Sequence, residues 1–227
     1  MIQEWKIFRN QWSQKELLLR LASLLFLLFM MNRQPPYPVE VISMLICFAA
    51  SFGSLEYTVN VFGLDGYAFY LHHMGPSPLW IRLIRRVSVG MAVQILLAAT
   101  LSTYFFFKTD TLHFRFHLCI LIIILAHNFA AGCLYSAAFP RTIPKTVEKK
   151  IFRVHPGLGL SLAAGVNILF PAVFYVLCHL LPPATVFLYG RIVILFWLAC
   201  IPLSAIWGAK LINKRTYDKL LAVTTEY

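Results

Sequence analysis

Apolar runs of about 20 residues, the length a helix needs to cross a bilayer, recur along this chain between short stretches rich in proline, glycine and charge. The pattern predicts six such spans, over residues 17–31, 39–59, 87–107, 116–139, 158–181 and 184–209. The first is short and is interrupted by Arg20, whose long stem reaches the near interface. Turns follow from Asn32 to Pro38 and at Pro182-Pro183, where proline stops a helix. Ahead of the first span, Met1, Trp5, Phe8 and Trp12 fall on one helical face, with Lys6, Arg9 and Lys15 on the remainder. Residues 1–16 therefore read as an amphipathic helix at the headgroup level, and 17–227 as a six-helix transmembrane domain. The interval from Asn60 to Arg86 stands apart, because it contains no membrane-length apolar run. It opens on a turn, Gly63-Leu64-Asp65-Gly66, and breaks at Pro76-Ser77-Pro78. It ends in Leu79-Trp80-Ile81-Arg82-Leu83-Ile84-Arg85-Arg86, a basic amphipathic run. Such a segment lies on a membrane surface or docks into a soluble partner.

Composition turns this pattern into a class. The chain is 59% hydrophobic and 13% charged, with a mean hydropathy of +0.72. A soluble domain of 227 residues cannot hide that much apolar surface, so the expectation is an all-α polytopic membrane protein. The net charge of +11 raises nucleic acid as a partner, but the basic residues sit beside span ends. Every Lys and Arg except Arg33, Lys108, Arg115 and Arg191 falls on the same predicted side. That bias places both termini and the 60–86 loop in the cytoplasm of a multi-pass inner-membrane protein, with lipid rather than nucleic acid as the basic residues' partner. No cleavable signal peptide is expected. The five cysteines lie in apolar segments without CxxC spacing and read as small buried hydrophobes.

Polar residues inside the spans are the candidates for chemistry, since hydrocarbon penalises them. Glu56 lies near the inner end of the second span, His127 and Asn128 in the fourth, Asn167 in the fifth, and Arg191 two turns into the sixth. They line a translocation path or hydrogen-bond between helices, the second being the better reading residue by residue. Arg191 either snorkels outward or pairs with Glu40. His113 and His117, four residues apart, share a helical face but have only Asp110 near them, and His72-His73 lie on the opposite side of the membrane. Interface histidines are favoured over a metal site. Pro171 and Pro202 fall inside spans and are expected to bend them. GxSxG, HExxH and GxxxxGK[ST] are all absent, so no catalytic residue is assigned and ATP hydrolysis is expected on a separate subunit.

The 60–86 loop resembles the N-x-F-G-x-D loop of type-2 ABC exporter permeases. The matching residues are Asn60, Phe62, Gly63, Asp65 and Gly66, then Leu71, Pro76 and the basic pair Arg85-Arg86 leading into a span. A second block is similar to that family's G-N-x-x-S-x-x-F-P-R segment. It comprises Asn128-Phe-Ala-Ala-Gly132 followed by Ala138-Phe139-Pro140-Arg141. The chain departs from the family in having arginine where lysine is usual at the start of the third span. The short turn at Pro182-Pro183 also leaves no room for the outer re-entrant helices of some members. The resemblance implies a half-size permease subunit that pairs with a second copy or a different permease. Its 60–86 loop would couple to an ABC ATPase carrying the ATP and magnesium. Leu79, Trp80, Leu83 and Ile84 would fill an apolar groove on that ATPase, and Arg82, Arg85 and Arg86 would meet its acidic rim or anionic lipid. The Gly63–Gly66 turn would give a sharp exit from the second span, with Asp65 capping the next helix. The expected cargo is hydrophobic or amphipathic: a peptide, drug or lipid. The competing reading is a non-transport polytopic protein, either a scaffold or a small intramembrane enzyme using Glu56, His127 or His72-His73.

Overall fold

The structure, a computed structural model, describes residues 29, 32, 39–52, 55, 58, 77–138 and 158–225, with side chains as far as 214. The expected interfacial helix, most of the first span, and Glu56, Asn60, Phe62, Gly63, Asp65, Gly66, His72, His73 and Pro76 lie outside the described residues, as does 139–157. Five helices are described: α1 (Val39–Phe52), α2 (Leu79–Phe106), α3 (Thr111–Ala138), α4 (Leu158–Leu180) and α5 (Pro183–Thr225). Among the described residues, α2, α3, α4 and the Pro183–Lys214 part of α5 are long and apolar enough to cross a membrane, while α1 is a shorter apolar helix.

α2 differs from expectation in its start. The sequence pattern separates the amphipathic run beginning at Leu79 from a span starting at 87, but one unbroken helix carries both. The buried positions explain why. Leu79, Leu83, Val87, Gly90, Gln94, Ala98, Leu101 and Phe105 recur every three or four residues, so the apolar face of the basic segment continues the inward seam of the span. Nothing in that seam asks the helix to break. It starts after Pro78, whose carbonyl accepts hydrogen bonds from the amides of Ile81 and Arg82.

α3 also begins earlier than its apolar pattern implies, because Asp110 caps it. One Asp110 carboxylate oxygen accepts from the backbone amides of Leu112 and His113, each at 2.9 Å, satisfying donors that the first turn leaves open. The Pro182-Pro183 turn forms as expected. Leu181 still bonds back to Leu177, and the carbonyl of Pro182 accepts from Thr185 and Val186, so α5 starts at once with Pro183 in its first position. Pro171 and Pro202 sit inside helices that continue past them. α5 runs beyond the expected end near 209 to Thr225.

α3 is the hub of the bundle, packed on each of the other four helices, and its most extensive partner is α5. α3 and α5 both start at the Asp110 end and run in the same direction, which lets small residues meet along their length. A Cβ placed on Gly190 would collide with the Cys119 sulfur, and one on Gly208 would lie 2.5 Å from the Cys133 carbonyl oxygen. Where lipid is as apolar as leucine, such close backbone approach is what holds two helices together. Leu83 and Val87 of α2 close the far end of this seam in one cluster with Cys133, Ala137, Ala205 and Ala209. Gly132 of α3 has a similar role toward α2, since a Cβ there would meet Val87 and Thr58 at 2.8–2.9 Å.

Candidate functional site

Polar side chains predicted separately in two spans meet in one chain of hydrogen bonds across the bundle. Asn128 of α3 donates from Nδ2 to Gln94 Oε1 of α2 at 3.0 Å. Its Oδ1 accepts from Asn167 Nδ2 of α4 at 2.8 Å. Asn167 Oδ1 in turn lies 3.2 Å from His127 Nδ1, which therefore carries the proton and donates. At the other end Gln94 Nε2 approaches Thr58 Oγ1 at 3.4 Å, and Ser136 donates to the Thr58 carbonyl at 3.3 Å. All of these residues are buried, Gln94, Asn128, Thr58 and Ser136 completely. Every amide donor in the run from His127 to Thr58 points the same way, so each bond polarises the next. Reversing it would require three amides and the histidine proton to turn together.

The aromatic floor of this chain comes from α4 and α5. Trp197 meets His127 edge-on, with ring centroids 4.7 Å apart, and Phe170 packs beside both. The Trp197 indole nitrogen is buried without a hydrogen-bond acceptor among the described residues. His127, Asn128 and Asn167 thus act together as an interhelical clasp, and Gln94, Thr58 and Ser136 join them.

A second polar cluster ties α1, α2 and α3 nearer the Asp110 end. His117 is fully buried, with Ser43 Oγ 2.9 Å from Nδ1 and Ser102 Oγ 2.8 Å from Nε2. Cys47 lies 3.9 Å from Nδ1, and the Phe105 ring covers the imidazole at 4.8 Å. His113, one turn away, belongs to a different group at the surface. Its Nδ1 is 2.6 Å from Asp110 Oδ2, and its Nε2 is 3.8 Å from Glu40. The two histidines share a side of α3, but each has its own partners, and the described residues contain no group of three or more His, Cys, Asp or Glu placed to hold a metal ion. The His113 amide, and then its side chain, hold the exposed Asp110 carboxyl below the usual carboxylate range. Glu40 is thereby engaged with His113, and Arg191 lies instead in a groove with Arg115.

The basic segment at the start of α2 divides by face. Leu79 and Leu83 are buried in this chain's own core, and Arg86 is 8% exposed. Trp80 is 40% exposed, Arg85 is exposed, and Arg82 and Ile84 are half-buried. Only the outward half of the expected contact surface is therefore open to a partner.

Sequence reasoning missed Gln94, Thr58, Ser102 and Ser43. The signal for Gln94 was present: it falls on the seam through Leu83, Val87, Gly90 and Ala98, where a polar residue must find a buried partner. Comparison of the chain with protein-family models, with curated proteins and with solved structures gives no match.

Proposed function

We propose that this chain is the permease subunit of an ATP-driven, ABC-type exporter. It pairs with a second copy or a different permease, couples to a separate ATPase through the 60–86 loop, and moves a hydrophobic or amphipathic substrate. In this reading the Trp80 end faces the cytoplasm of the inner membrane, which the distribution of Lys and Arg supports. The observation that carries the proposal is the continuity of α2. Trp80 and Arg85 stand on the same unbroken helix as Gln94, which holds one end of the buried hydrogen-bond chain. Leu83 and Val87 clamp that helix to α3 and α5. A push on the exposed face of the first two turns therefore moves a rigid lever that packs on three other helices, and this is the motion a coupled exporter needs. The polar chain is the element such a motion would rearrange, because its directional bonds hold or break as a unit.

The resemblance of the loop and of the block from Asn128 to Arg141 supports the same reading. The test is affinity purification of the full chain in mild detergent from its native membrane, with ATPase activity assayed in the eluate. The reading predicts a co-purifying ATPase that is lost in Trp80→Glu while the variant still inserts. Isolation without any ATPase would favour the scaffold or intramembrane-enzyme alternative.

A further inference from the structure

Beside their glycine contact at Gly190, α3 and α5 leave an open groove of about 860 Å³. Its walls are mostly apolar, including Leu118, Ile122, Phe187 and Ile194, yet two arginines line it, Arg115 from α3 and Arg191 from α5. Arg115 is the fifth residue of α3 and Arg191 the ninth of α5. At 1.5 Å per residue they lie about 6 and 12 Å in from the starts of two helices that are long and apolar enough to cross a membrane. The ion pairs between described residues both belong to His113, and neither arginine has a carboxylate among those residues. Apolar positions flank Arg191 along its helix, with Leu188, Ile192 and Leu195 all exposed.

A guanidinium at that depth is costly unless it reaches water or meets an anion. Two of them lining one apolar groove offer fork-shaped donors suited to a phosphate. We propose that the groove binds an anionic phospholipid, its phosphate held between Arg115 and Arg191 and an acyl chain lying along Leu118, Ile122 and Ile194. This site is independent of the exporter reading, since it uses neither the polar chain nor the first turns of α2.

The test is native mass spectrometry of the purified full chain titrated with dioleoylphosphatidylglycerol, dioleoylphosphatidylcholine or inorganic phosphate. The chain should retain the phosphatidylglycerol about tenfold more tightly than the phosphatidylcholine, whose choline ammonium offsets the charge of its phosphate toward the two guanidinium groups. The double variant Arg115→Gln, Arg191→Gln should lose that preference and retain the two lipids alike. Both side chains are exposed, so its melting temperature in lipid-free detergent should match the parent. Equal retention of the two lipids by the unaltered chain overturns the proposal without any variant. So does full retention of phosphatidylglycerol by the double variant, or displacement of the lipid by inorganic phosphate at comparable concentration.

Discussion

α3 and α5 lie side by side and are equally good candidates to cross a membrane, but 67% of the most apolar stretch of α3 is buried against 17% of that of α5. The polar residues divide accordingly. α3 carries His117, His127, Asn128 and Ser136, all buried and all hydrogen-bonded to neighbouring elements. α5 presents Arg191 in an open groove, and its outward face is a run of exposed Leu188, Ile192, Leu195, Phe196, Leu203 and Trp207. Place in the bundle, rather than hydropathy, decides whether a polar side chain becomes an interhelical clasp or a feature facing lipid. The hub can bear several polar groups because each has a partner; the rim holds a charge only where a lipid headgroup or water can answer it.

The contrast can be broken most severely where α2 closes the α3–α5 seam. Leu83→Glu puts a carboxylate among Cys133, Ala205 and Ala209, a cost of several kcal/mol without a partner. Loss of the folded protein's peak in detergent gel filtration is expected. Next in size is Gly208→Val, whose Cβ would strike the Cys133 carbonyl and Leu83. Overpacking of this kind costs about 1–3 kcal/mol, read as a shift in denaturant midpoint. Gly165→Ala is the matching control: nothing lies within 4 Å of its Cβ, so no loss is expected.

A smaller effect is expected in the hydrogen-bond chain. Asn128→Leu leaves Gln94 and Asn167 without their shared partner, at a cost of about 1 kcal/mol. Gln94→Leu combined with it should cost less than the sum of the two, because both remove the same bond; a double-mutant cycle reads this directly. Additive losses would show that the chain does not act as a unit.

The smallest expected effect concerns the cap of α3. The folded-state pKa of Asp110 is depressed, so its stabilising contribution is present above the ordinary carboxylate range and is lost as pH falls through that lowered value. Asp110→Ala should therefore flatten the acid limb of the melting-temperature profile. An unchanged acid limb would remove the cap from the account.

Much of this architecture is legible in the sequence, and the misses have physical causes. Apolar length locates α4 within a residue, and Pro182-Pro183 locates its turn, because membrane thickness and proline geometry are local constraints. The start of α2 is misplaced by its pattern because Arg82, Arg85 and Arg86 look like an interface between two segments. Their spacing instead leaves one apolar seam running through them. His127, Asn128 and Asn167 stand out as interhelical polar residues, but their partner Gln94 does not, since only the packing of α2 on α3 shows which amide meets which. The i, i+4 pair His113 and His117 looks like one cluster in sequence. Depth separates them, one meeting Asp110 at the surface and the other meeting buried serines from α1 and α2.

The central claim is that force enters through the exposed face of the first turns of α2. Trp80 is the side chain that isolates it, being exposed where Leu83 on the same turns is buried. The deciding measurement is co-purification of ATPase activity with Trp80→Glu compared with the unaltered chain, with both proteins checked for equal membrane insertion and melting temperature. The account predicts an intact, folded membrane protein that has lost its ATPase. An equally stable variant that retains the ATPase in full would contradict it.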